Sequence, residues 1–249
     1  MIAPRKLKNA PIKEAVIAFD VTLKEEVDVE KLNAEYAAFS EQYPKKEALL
    51  RVRSGFRIEE QMAVQTPLDS NQTGYKYTSA DGKYIAQFRL DGFTLSRMEP
   101  YTVWEDLRSE AARLWEIYNK VANVSTVTRV AARYINLMRV PMDDLKEFGD
   151  YLVCPPEVPE ALPQGVSSFL TRIVFSEPTS GAQCILTQAL EGPDVDNRMV
   201  PIVLDIDVFI QHQFPINEGQ YWQELDKLRD FKNKVFFQSI TKKAESLFQ

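Results

Sequence analysis

The feature that most constrains this 249-residue chain is the alternation of apolar and polar residues in separated runs. Ile202, Leu204, Ile206, Val208 and Ile210 alternate through residues 200–210, and Ala15, Ile17, Phe19, Val21 and Leu23 through 14–23. A period of two gives a strand with one buried and one wetted face. Several such strands joined by tight turns specify an antiparallel sheet with one face to cover.

The cover is legible too. Asp28 caps an expected helix carrying Leu32, Tyr36, Phe39 and Tyr43, and Thr102 with Glu105 reads as the capping box of a second. That second helix carries Leu107, Ala111, Leu114 and Tyr118, widened by Trp104 and Trp115. Between them lie a strand at 49–62 and short strands at 74–97, punctuated by Asp81-Gly82 and Asp91-Gly92. The pattern then restarts. A long strand at 126–140 ends at Pro141, followed by a short helix from Asp143 to Gly149 and a loop with Pro155, Pro156, Pro159 and Pro163. That loop is the expected mobile segment. Strands at 166–176, 182–190 and 200–210 lead to a final helix, capped by Asn217 with Gln220 and running to about Leu247.

The expected fold is therefore α+β, a curved antiparallel sheet covered by helices on one face. Two pseudo-repeated β-α-β(3-4)-α halves, about 1–122 and 123–249, form one unit over 1–249 and do not fold independently. Trp104-Glu105-Asp106-Leu107 and Trp222-Gln223-Glu224-Leu225 open the two closing helices alike. This order resembles TATA-binding-protein-like folds and, less closely, helix-grip folds, which by itself implies no DNA binding.

Composition narrows the function classes. With 30 basic and 36 acidic residues, a net charge of −6 disfavours general nucleic-acid coating. No apolar run approaches the ~20 residues of a membrane span, and the N-terminus lacks an apolar signal core. A cytoplasmic protein with reduced Cys154 and Cys184 is expected, without membrane partners. Its single histidine, His212, reads as a solvated loop residue. Triads, P-loops, dinucleotide fingerprints and zinc motifs are absent, so no catalytic residue, metal ligand or cofactor is expected, and the chain leans away from an enzyme.

Several segments resemble a sporadically distributed bacterial family of uncharacterised proteins. They are Leu7 through Val16, Pro100-Tyr101 with Trp104-Glu105, Arg133-Tyr134-Ile135-Asn136 with Pro141, and Leu225-Asp226 through Leu228-Arg229, Lys232-Asn233 and Phe236-Phe237. The resemblance implies an accessory or defence-type gene and no particular chemistry.

The remaining anomaly is arginine in strands. Arg51, Arg53, Arg57, Arg89, Arg97, Arg129, Arg133, Arg139 and Arg172 all fall in or at expected strands. Guanidinium groups suit bidentate phosphate or carboxylate contacts, so Arg51, Arg53, Arg57, Arg89, Arg133 and Arg172 are candidate binding residues. Asp205 and Asp207 share a strand face, where they would hold a divalent cation beside phosphate or pair with the arginines across strands. Asp226 and Arg229 stand three apart and either pair or link helix to sheet. Trp104, Trp115, Trp222, Tyr101 and Tyr221 read as core, or as the lining of a pocket.

The leading expectation is a non-enzymatic binding protein whose sheet face or helix edges engage a protein partner, with nucleic acid or self-association as other occupants. The alternative is an enzyme or sensor of a phosphorylated small molecule using the strand arginines with Asp205 and Asp207. A third is a small-molecule cavity beneath the C-terminal helix.

Overall fold

The alternating runs become strands. The computed structural model describes residues 7–59, 62–190, 192 and 196–249, with the side chains of 52–59 and 62–70 outside that description. In chain order the strands are β1 (Ile12–Leu23), β2 (Lys45–Glu59), β3 (Met62–Thr78), β4 (Tyr84–Arg89), β5 (Gly92–Met98), β6 (Val124–Pro141), β7 (Phe169–Ser176), β8 (Gln183–Leu190) and β9 (Met199–Pro215). They form one nine-stranded sheet in the order β2-β3-β4-β5-β1-β6-β9-β8-β7. Every pairing is antiparallel.

The three α-helices among the described residues are α1 (Trp104–Ala122), α2 (Gln220–Ser239) and α3 (Lys242–Ser246). Ala15, Ile17 and Phe19 on β1 and Ile202, Leu204, Ile206 and Val208 on β9 are fully buried, as the alternation requires. The Phe19 ring shows what covers them. It meets Trp115 of α1 at 4.8 Å and Trp222 of α2 at 5.1 Å, so both long helices lie on this face. Asn123, left-handed at φ 51°, ends α1 and turns the chain directly into β6.

Several expected elements change. No α-helix follows Asp28. The carboxylate does cap, accepting from the Glu30 N–H, but the segment makes two 3-10 turns, Val29–Asn33 and Tyr36–Ala38. The broken path lets Leu32, Phe39 and Tyr43 all become buried, with Phe39 edge-on to Tyr77 at 5.0 Å. Tertiary packing overrides the helical spacing here. The helix expected over Asp143–Gly149 reduces to a 3-10 turn at Phe148–Asp150, while residues 155–168 form neither helix nor strand. β3 begins at Met62, well before the strand pattern at 74, as the partner of β2.

The final helix is also shorter. α2 spans 20 residues, about 30 Å at ~1.5 Å per residue, and stops at Ser239. Ile240 leaves the helix to bridge Leu152, and Thr241 starts α3 by accepting from the Ala244 N–H. Neither expected side-chain cap forms. α1 begins after Val103 and α2 after Gly219 at φ 66°. His212 is exposed within β9, against Phe214, and not in a loop. Both cysteines are free. Cys154 is exposed, and burial pushes the Cys184 thiol up to about 12.

Candidate functional site

Carboxylates meet four of the strand arginines, Arg51, Arg89, Arg129 and Arg133. Arg133 donates to both Asp205 carboxylate oxygens, at 2.9 and 2.6 Å, and Arg129 reaches Asp207 at 3.2 Å. Cα register sets Arg133 opposite Asp207, so Arg133 reaches its carboxylate diagonally. Burial nevertheless raises the Asp207 carboxyl pKa against the pull of Arg129 and Arg133. Arg89 pairs with Asp91 and Asp20, and Arg51 with Asp91. Arg97 lies opposite Ala15 on the helix-covered face, over the Tyr84 ring. Exposed on β7, Arg172 makes no ion pair with the described residues. The side chains of Arg53 and Arg57 lie outside the described residues; their backbones pair with Asp69 and Val64.

The covered face holds a different site. A cavity of about 150 Å³ lies between α1, α2, β6 and the segment leading into β1. Leu7, Ala10, Pro11 and Ile12 form one wall, held where Pro11 accepts from the Leu137 N–H at 2.7 Å. Tyr101 and Trp104 form a second wall at the start of α1, and Tyr134 and Asn136 rise from β6. From α2 come Arg229, Lys232, Asn233, Phe236 and Phe237. All four sequence segments quoted for the family resemblance therefore contribute to one cavity.

Its polar lining includes Thr102 and the Glu105 carboxylate at the start of α1, besides the groups from β6 and α2. The Tyr101 and Tyr134 hydroxyls share a hydrogen bond at 3.2 Å, and burial raises both phenol pKa values. Asn136 is buried, its amide donating to the Tyr134 and Leu204 carbonyls. Lys232 is only 7% exposed, and its amine sits 3.6 Å from the Tyr134 ring centroid. No carboxylate among the described residues pairs with it. Burial, helped by Arg229 one turn earlier, pushes its pKa down to about 7. Among the described residues Arg229 bonds the exposed side chain of its neighbour Asp230, at 3.2 Å.

Asp226 and Arg229 do not pair, as their spacing allowed. Asp226 instead accepts two bonds from Arg108 of α1, at 2.8 and 3.1 Å, and one from Trp104 Nε1 at 3.3 Å. It thus clamps the helices at an outer groove that it lines with Arg108 and Asp230, and that shares Trp104, Glu105 and Arg229 with the cavity. The clamp is partly exposed, so Asp226→Ala is expected to cost about 1 kcal/mol. A fall in thermal midpoint of roughly 2–4 °C would show it; an unchanged midpoint would deny Asp226 that role.

Of the aromatic residues read as core or lining, Tyr101 and Trp104 line the cavity. Trp115 and Tyr221 are core, joined by a 3.2 Å bond from Trp115 Nε1 to the Tyr221 hydroxyl. Lys232 was not among the sequence candidates. The signal for it is its place on the buried stripe of α2, four residues after Leu228 and seven after Leu225, where an apolar residue belongs. No protein-family model and no curated protein matches the chain.

Proposed function

We propose that this is a binding protein or sensor whose ligand is a small organic anion with an apolar body, held in the cavity beneath α2. One observation carries the reading: Lys232 is a buried amine on the cavity wall with no carboxylate partner among the described residues. Removing an ammonium from water costs several kcal/mol, a cost normally offset by a paired anion. A ligand carboxylate or phosphate would complete that pair, with Arg229 a turn away as second donor. The volume sets the size of the body, since a cavity of about 150 Å³ admits a group near benzene in bulk. Larger ligands would extend into the outer groove.

This keeps the binding function expected from the sequence and moves it from the strand arginines to the cavity. Arg51, Arg89 and Arg133 already have carboxylate partners, which weakens their case as an unpaired anion-binding array. The proposed duplication fits the same picture. In each half the first strand pairs with the last, β1 with β5 and β6 with β9, and β1 joins β6 at the centre. On that reading the cavity lies where the closing helices of two related halves meet.

Thermal denaturation with short aliphatic and aromatic carboxylates, phosphate monoesters and their uncharged amides tests the function. An anion at a hundred times its Kd should add about 2.7 kcal/mol, or roughly 5–10 °C for a chain of this size. The amides and Lys232→Met should show no rise. Because the paired amine must be protonated, affinity should fall towards tenfold per pH unit above 7. Equal responses from wild type and Lys232→Met, or none from any anion, would refute the proposal.

A further inference from the structure

We propose that Lys232 captures carbonyl ligands in this cavity as an imine, which makes short 2-oxo acids the ligand class. The inference rests on the anion-binding reading above and adds a covalent step to it. Its geometric basis is a single amine against the Tyr134 ring, buried on a cavity wall without a carboxylate partner among the described residues. A lysine in such a desolvated place next to another cation has a free lone pair near neutral pH and becomes a nucleophile. Here the other cation is Arg229, three residues earlier on the same helix and lining the same cavity. A 2-oxo acid presents the matching pair of groups on adjacent carbons: a carboxylate for the guanidinium and a carbonyl for the amine.

The step balances without an oxidant or reductant. The nitrogen lone pair attacks the carbonyl carbon, and the C–O π electrons move to oxygen, which takes a proton. The carbinolamine nitrogen then forms the C=N bond as the C–O bond breaks. Both amine protons leave on the departing oxygen, as water. The hydrogen-bonded Tyr101 and Tyr134 hydroxyls belong to the same cavity lining, with the Tyr134 ring, not its hydroxyl, against the amine. With a pKa of about 7, Lys232 is about half neutral at pH 7, against roughly one in three thousand for a lysine at 10.5.

The test is reductive trapping of the whole chain with 2-oxopentanoate and cyanoborohydride at pH 7, read by intact mass and peptide mapping. One adduct per chain is expected, equal to the probe less one oxygen, on the peptide holding Lys232. Lys232→Met should lose it, with circular dichroism confirming that the variant is folded. Arg229→Gln should slow labelling by 2-oxopentanoate at least tenfold and labelling by pentanal much less, because burial, the larger cause of the lowered amine pKa, remains. Adducts scattered over surface lysines and unchanged in Lys232→Met would overturn the imine. Pentanoate, which has no carbonyl, separates the two readings. If it raises the thermal midpoint through Lys232 while trapping fails, anion binding stands and covalent capture falls. If neither occurs, both fall.

Discussion

Lys232→Met is expected to make the protein more stable at pH 6, although it removes a side chain from the proposed site. The sign follows from where the proton sits. Lys232 has a pKa of about 7 when folded and the ordinary 10.5 when unfolded. Below pH 7 both states are protonated, and the folded state bears the whole cost of a buried charge. Between 7 and 10.5 the unfolded chain holds a proton that the folded chain lacks, so stability rises with pH. At about 1.4 kcal/mol per pH unit, the drop from 10.5 to about 7 amounts to roughly 5 kcal/mol. Methionine is unbranched and similar in length, so it fills the space without the charge. Its thermal midpoint should exceed that of wild type by about 10 °C or more at pH 6. Near pH 10 the two curves should converge. Parallel curves from pH 6 to pH 10 would show that Lys232 does not titrate as a buried amine.

The second large effect belongs to Phe19→Ala. Phe19 is completely buried, and its ring lies 4.8–6.3 Å from those of Trp115, Tyr221, Trp222 and Phe93. These neighbours come from α1, α2 and β5, so one side chain packs against elements of both halves. Truncating such a phenylalanine typically costs about 3–5 kcal/mol, from lost transfer energy and the remaining cavity. Urea denaturation should show the unfolding free energy falling by that amount, with tryptophan fluorescence and circular dichroism still coinciding. Separate transitions for the two signals would mean that the halves unfold independently, contrary to the single unit expected from the sequence.

The strands were legible because burial of one face forces a period of two, and runs such as 200–210 satisfy it residue by residue. The helices were legible only where the apolar stripe and the fold agree. Over residues 28–43 the spacing of Leu32, Phe39 and Tyr43 fits a helix, yet the same side chains reach the sheet better from two short turns. The end of α2 depended on Ile240 finding Leu152, some ninety residues away, which no local pattern encodes. Long-range pairing also decided the arginines. Whether Arg133 binds a ligand or pairs across strands was open in sequence, because its partner Asp205 arrives only when β9 docks on β6. For Lys232 the difficulty was opposite. Its position on the buried stripe was visible, but a long side chain at a stripe edge usually leads its charge out to water, and only packing against Tyr134 shows that it stays inside.

The contact between the Asn9 N–H and the Phe248 carbonyl, at 3.0 Å, has a practical side. It sets the last turn of the chain beside the segment whose Leu7 forms part of the cavity wall. A tag or surface anchor fused after Gln249 would lie beside that wall and distort any measured uptake. The 155–168 loop, free of helix and strand, is the better place for a fluorophore or immobilisation handle.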